Sequence, residues 1–438
     1  MRRIGFIVSE FPRPVDAYLL RELLALVGAG LDVRIYSLRR PSSAAAPRAA
    51  AGLLANTTYA PRLGTREMRA AHAAWLRTAP ARYREALATA ARGHAASPRL
   101  LAKVLAVWPQ TVYFAERAQR DGIEHLHANW ATYPAAAAAA MAHLTGLPWS
   151  FGGHASDIYI DATNLPAKLR SAHFVTTCTE ESRRYLLGLA PDVDPARVHT
   201  VYHGIDLSHP AAERVEVSGL TVLAVGTLRD CKGFDTLLRA VGRVRSEGTP
   251  VRVIIVGDGE ERPRLERLAQ RLGIAGRVAF TGYVPHEELA RFYALATMLV
   301  HPAHRANHFG IPNVILEAMA ARLPVVCSPL PALGELLEDG KNGVFVPESD
   351  VEGLAATLKA LAADPERRRR LAEEGFRRIG EQFDITRTAG RFAELFLDGA
   401  EPSTQREAIG RCGSSRQARE RDACSAPRSA PASRQPSG

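Results

Sequence analysis

The sequence predicts an α/β protein of two consecutive doubly wound, Rossmann-like domains that face each other across a cleft. Three observations lead there. Short apolar runs alternate with amphipathic helical stretches, and the alternation begins twice, at Arg3 and again at Thr221. Such repetition implies parallel strands joined by right-handed crossovers. Between the two series, residues 207–219 are polar and turn-rich, as a boundary between domains is. The length of 438 residues suits two cores rather than one.

In the first series Arg3–Ser9 is a strand, Val15–Val27 an apolar-faced helix stopped by Gly28 and Gly30, and Leu31–Leu38 a second strand. Residues 41–110 break the rhythm with Ala, Arg and Pro, and helical patches at Thr65–Arg77 and Tyr83–Arg92 make them a helical insertion over the sheet. A second reading of this insertion is a basic amphipathic patch that touches phospholipid or a lipid-linked acceptor. The rhythm resumes with a helix at Val112–Arg120, strands at Glu124–His127, Pro148–Phe151, His173–Cys178 and Arg197–Tyr202, and helices at Pro134–His143 and Glu180–Leu189. The second series has strands at Thr221–Gly226, Val251–Gly257, Arg277–Gly282, Ala296–Val300 and Pro324–Ser328, and reads as helical from about 343 to 397. Domain 1–206, domain 207–381 and a Ser-, Pro- and Arg-rich tail 399–438, expected to be disordered, complete the division.

Composition excludes several classes. Hydrophobic content of 46% and charged content of 23% are those of a soluble chain, and nothing approaches the roughly 20 apolar residues of a membrane span. MRRIGFIVSEFPRP lacks the long apolar region of a signal peptide, so a cytoplasmic location is expected and the Asn56-Thr57-Thr58 sequon carries no meaning. Cysteines 178, 231, 327, 412 and 424 form no CxxC pair, which suits free thiols in a reducing compartment. The net charge of +10 favours anionic substrates or an anionic membrane surface; no nucleic-acid partner is expected.

Parallel strands deliver their following turns to one edge, where ligands bind. The stretch His301–Ala320 is a strand end, a loop rich in His and Asn, and a helix start with Pro312 near its first position. The amides of Gly310, Ile311, Pro312, Asn313 and Val314 mark the turn (Pro312 itself carries none), which with the helix dipole suits an anion. Glu317, four residues after Asn313, shares its helix face and suits sugar hydroxyls. Lys232-Gly233 lies on a sister turn and offers a phosphate a point charge. His154 follows a strand and two glycines at the first domain's edge, placed to exchange protons or hydrogen bonds with a substrate hydroxyl, and Asp157 is placed to orient it or to bind sugar hydroxyls. Each of these, alone, also fits an ordinary loop or strand-end residue. Gly257–Glu260 is a turn with a helix cap that lacks GxGxxG, so a dinucleotide reading is weak. His125, His127, His301, His304 and His308 show no HxxxH spacing with an adjacent carboxylate, and no metal is expected.

In order, VGTLRDCKGFDTLLRA, VIIVGDGEERPRLE, RVAFTGYVPHEEL, FGIPNVILEAMAARLPVV and KNGVFVP resemble the second domain of family 4 glycosyltransferases, retaining enzymes of GT-B architecture. SEFP, HLHANWA, WSFGGHASDI and VYHGID fit the first domain, and the chain is similar to the exopolysaccharide, colanic-acid-type branch. The resemblance implies hexosyl transfer from a nucleotide diphosphate sugar to a polysaccharide or lipid-linked glycan acceptor, with peripheral contact at the inner face of the membrane and no cofactor or metal. It implies that Glu317 holds the donor's ribose, Gly310 to Val314 cradle the diphosphate, Lys232 neutralises it and His154 contacts the sugar. It also implies a last helix, 382–398, that crosses back onto the first domain. Two positions depart from the family: Phe309 stands at the first glutamate of E-x7-E, and Thr227 at an arginine that touches the donor, with Arg229 or Arg305 as replacement charge. From these departures comes an alternative: a catalytically weak or inactive GT-B protein that binds nucleotide sugar or glycan.

Overall fold

The structure, a computed structural model, describes residues 2–13, 16–41, 47–208, 219–306 and 309–397. The 399–438 tail, His308 and most of the interdomain linker lie outside them.

Seven strands build the first sheet: β1 (Arg3–Glu10), β2 (Asp32–Arg39), β3 (Thr57–Tyr59), β4 (His125–Asn129), β5 (Trp149–Gly153), β6 (Phe174–Thr177) and β7 (Val198–Thr200). Their order is β3-β2-β1-β4-β5-β6-β7, all parallel. Six more build the second: β8 (Leu220–Val225), β9 (Val251–Val256), β10 (Val278–Phe280), β11 (Met298–His301), β12 (Val325–Cys327) and β13 (Val344–Phe345), in the order β10-β9-β8-β11-β12-β13, again parallel. In both sheets the order reverses beside the first strand, which opens a crevice at the carboxyl edge. Helices on both faces explain why the central strands β4, β5, β8 and β11 are buried at every position rather than at alternate ones. The alanine run permits the helix Tyr133–Thr145 to approach the sheet closely, with Ala135 to Ala138 all buried.

Two edge strands escape the sequence reading. β3 joins the sheet from within the expected helical insertion, and β13 stands where helix was expected to begin. Both are three residues or fewer, too short for a periodic signal. Among its other described residues the insertion holds a short helix, Ala51–Leu54, and three longer ones, Arg66–Thr78, Pro80–His94 and Pro98–Ala106, whose Met68, Trp75, Ala86 and Val104 are buried. Leu63, Leu76 and Leu105 stay exposed. Among the described residues, no helix is long and apolar enough to cross a membrane.

The last helix, Ile385–Leu397, lies on the first domain, although its sequence follows the second. Ala389, Phe392, Ala393 and Phe396 pack with Ile4, Phe6, Leu23 and Phe174. The two passages between domains run side by side: the Ile205 amide donates to the Phe383 carbonyl at 2.7 Å and the Ile385 amide to the Ile205 carbonyl at 2.9 Å. Gly204 permits that approach, since a Cβ there would sit 2.5 Å from Ile385 Cα.

Candidate active site

At the carboxyl edge of the first sheet, β4 ends in Asn129, and His154, Cys178 and His203 follow β5, β6 and β7. The His154 ring is buried. It stacks on His203 (centroids 5.1 Å, interplanar angle 26°) and packs against Tyr18 and Trp130. Its Nε2 lies 3.2 Å from Asn129 Oδ1, and Asn129 in turn donates through Nδ2 to the Tyr18 hydroxyl. With Asn129 so oriented, Nε2 carries the proton and Nδ1 keeps its lone pair. Burial pushes the imidazole pKa down, with Asp157 opposing, so the ring is neutral at neutral pH.

Asp157 does not touch that ring. Its carboxylate accepts from the backbone amides of His154 (3.1 Å), Ala155 (2.8 Å) and Ala131 (2.9 Å). With these three local donors it holds the loops on either side and positions His154 through its backbone amide rather than through its ring. Lys168, which the sequence did not single out, completes this frame by donating to the carbonyls of Ala131 (2.7 Å), Thr132 (3.3 Å) and Thr163 (3.3 Å). Burial pushes the Lys168 ammonium down to about 7, against the pull of Asp157. Trp130 between these anchors has φ of 102°, a backbone state that its surroundings must enforce.

At the edge of the second sheet, the turn after β8 carries Lys232 and Gly233. Gly233 has φ of 65°, and a Cβ on it would lie 1.9 Å from the Pro302 carbonyl oxygen. The His304 amide donates to the Cys231 carbonyl at 2.8 Å. The Lys232 turn and the loop after β11 are thus in contact. Lys232 is half-buried, which lowers its pKa, whereas Thr227 and Arg229 are exposed. The helix starts at Asn313 with Pro312 at the N-cap, so it begins one position later than the sequence suggested, and no side chain caps it. Asn313 Oδ1 is buried without a partner among the described residues.

Glu317 is held from three sides. Its oxygens meet His286 Nε2 and the Tyr293 hydroxyl, each at 2.9 Å, and Arg21 of the first domain at 3.5 Å. Burial raises the Glu317 pKa, but the His286 bond, the nearby positive charges and the Tyr293 bond outweigh it and leave the carboxyl below its ordinary value. The arginine that reaches this site is Arg21, across the cleft. Arg305 is exposed, and its amide donates to Glu348. A polar patch in an apolar helix, Tyr18, Arg21 and Glu22 at helical spacing, was the available signal for Arg21. His286 and Tyr293 had none.

The domains meet over these groups. Gly310, with φ of 73°, is placed so that a Cβ would lie 3.6 Å from Cys178 Sγ and 3.8 Å from the His154 carbonyl oxygen. Phe309 stacks on Tyr159 at 4.7 Å and 10°. Glu335 accepts from the amides of Glu180 (2.7 Å) and Glu181 (2.8 Å) at a helix start and from the Tyr202 hydroxyl (3.0 Å). His125 and His127, set aside as metal ligands, both bond Ser150 Oγ inside the first domain.

Two family models meet end to end on this chain. Residues 15–209 match Glycosyltransferase Family 4 and residues 209–378 match Glycosyl transferases group 1. The fold, two parallel-sheet Rossmann-like domains in sequence, is the GT-B fold. Among curated relatives, it is 36% identical over 174 residues to the lipopolysaccharide core biosynthesis glycosyltransferase LpsE of Rhizobium meliloti (40% of this chain, 48% of that one). It is 31% identical over 177 residues to the alpha-D-kanosaminyltransferase of Streptomyces kanamyceticus (40% and 45%). The matched region thus spans about half the length of these relatives. The GT-B fold itself recurs in Anabaena HepE, solved in complex with UDP-glucose (TM-score 0.66, 17% identity, 90% of this chain and 99% of that one). It recurs too in sucrose-phosphate synthase from Thermosynechococcus elongatus (TM-score 0.64, 21% identity, 90% and 98%).

Proposed function

We propose that this GT-B protein transfers a hexosyl group from a nucleotide diphosphate sugar to a polysaccharide or lipid-linked glycan acceptor, with retention and without a metal. The observation that carries the reading is the convergence at Gly310: the uncapped helix start, the Lys232 turn against the same loop, and His154 on the opposite wall. An anionic diphosphate leaving group needs positive potential where its charge develops, and Lys232 with the 310–314 turn supplies it without a cation. Glu317 accepts from the ribose hydroxyls once Arg21 withdraws. The neutral His154 offers the sugar a lone pair rather than a charge. Solved relatives of this fold in complex with UDP and UDP-glucose support the donor class, and curated transferases of lipopolysaccharide core and kanosamine support glycosyl transfer.

The finer assignments belong to the same reading. Exopolysaccharide assembly at the inner face of the membrane suits a chain with net charge +10 and exposed Leu63, Leu76 and Leu105 beside the arginines of the insertion. Incubation with a panel of nucleotide sugars and lipid-linked acceptors tests the reading. Lys232→Ala and Glu317→Ala are each expected to lower kcat/KM by about 10²–10³, with donor affinity weakened most by Glu317→Ala. Unchanged turnover in both variants would remove the assignment. Tight donor binding with neither transfer nor hydrolysis in the wild type would replace it by a nucleotide-sugar-binding role.

A further inference from the structure

We propose that His154, Cys178 and His203 form a site for Zn²⁺. The nitrogen, sulfur and nitrogen ligand atoms they offer all lie within 4.8 Å of one another. In tetrahedral zinc sites such atoms stand about 3.3–3.5 Å apart, given bonds of about 2.0 Å to nitrogen and 2.3 Å to sulfur, so a movement of up to about 1.5 Å closes the set. The residues follow three neighbouring parallel strands, β5, β6 and β7, which bring them together at one edge of the sheet.

The His154 ring is prepared for a cation. Asn129 Oδ1 occupies Nε2 and Tyr18 fixes the Asn129 amide, which leaves the Nδ1 lone pair buried with no partner among the described residues. A ligating imidazole held at its other nitrogen by a carbonyl oxygen is the usual outer arrangement around zinc. A neutral nitrogen donor pair with one sulfur is borderline-soft and suits zinc over magnesium or calcium. On binding, a Zn–S bond forms, the Cys178 S–H bond breaks, and its proton leaves to solvent. The fourth position is open to water or to a substrate oxygen.

Binding stands apart from the transferase reading, but its consequence rests on it. Zinc on His154 Nδ1 removes that lone pair from the sugar site and stops turnover, so the site acts as an inhibitory one.

Titration of the chelator-treated full chain with Co²⁺, followed by displacement with Zn²⁺, tests the site. One equivalent should give a thiolate-to-cobalt charge-transfer band in the near ultraviolet. Cys178→Ser should abolish that band, and Cys178→Ser and His203→Gln should each weaken Zn²⁺ affinity by at least about tenfold. A band that survives in Cys178→Ser would place the thiolate at another cysteine and overturn the proposal, as would Zn²⁺ affinity equal to wild type in both variants. Where transfer is measurable, Zn²⁺ should inhibit the wild type and spare Cys178→Ser. If no transfer is seen with any donor, the cobalt spectrum still decides the metal site, so the two readings fail separately.

Discussion

At the scale of single residues, Glu317 concentrates the energetics of the cleft. An unpaired buried carboxylate is costly, and His286, Tyr293 and Arg21 offset that cost from three different elements. The net effect lowers its pKa below the ordinary value of 4.5. A carboxyl depressed in the folded state stabilises the fold fully above its unfolded pKa, and that contribution is lost as pH falls through the folded value. Glu317→Gln should therefore flatten the acid side of a plot of denaturant midpoint against pH, between about pH 5 and pH 2. A slope identical to wild type would show that these contacts carry no net stabilisation. His154 illustrates a different point. Its proposed role depends on which nitrogen holds the proton, and that is set by Asn129 and Tyr18, neither of which adjoins it in sequence.

Among the elements, the helix Ile385–Leu397 has the clearest thermodynamic role. It follows the second domain in sequence and supplies core to the first, where Phe392 packs edge-on to Phe6 and His127 and Phe396 against Phe174. Phe392 is 2% exposed, so Phe392→Ala leaves a cavity that neighbouring strands cannot collapse to fill. The expected loss is about 3–5 kcal/mol, read as a lower denaturation midpoint of the first domain. A loss under about 1 kcal/mol would mean that the helix is loosely docked. Because Ile205 and Asp384 lie side by side, the same helix couples to the interdomain passage at Gly204.

For the whole molecule, the structure describes a closed cleft. Arg21 reaches Glu317, Phe309 stacks on Tyr159, and Glu335 caps the helix Glu180–Leu189 across the interface. On the proposed transferase reading, a donor enters as these contacts part. A stacked ring pair contributes about 0.5–1.5 kcal/mol beyond its buried area, so Phe309→Ala should shift the open-to-closed ratio about 2- to 12-fold toward open. Small-angle scattering of the ligand-free chain should then show a larger radius of gyration than wild type. An unchanged radius would mean that Glu335 and the domain passages hold the closed form without the ring pair. At this scale Phe309, a departure from the family pattern, acquires a physical task as part of an interdomain stack with Tyr159 and Tyr185.

Much of this was legible before any coordinates. Strand–helix alternation and parallel crossovers depend on local periodicity and chirality, so two sheets, their carboxyl edges and the positions of His154, Lys232 and Glu317 on those edges followed from the chain alone. Short edge strands at Thr57–Tyr59 and Val344–Phe345 did not, since two or three residues carry no period. What the tertiary structure decided was who partners whom. Asp157 is spent on three backbone amides, Glu317 is held by residues 24, 31 and 296 positions away, and Cys178 meets two histidines from neighbouring strands. The reason is that hydrogen bonds and ion pairs act over a few ångströms in space with no regard for separation along the chain. Sequence periodicity can name the edge on which a group stands, but only packing decides what lies within reach of it.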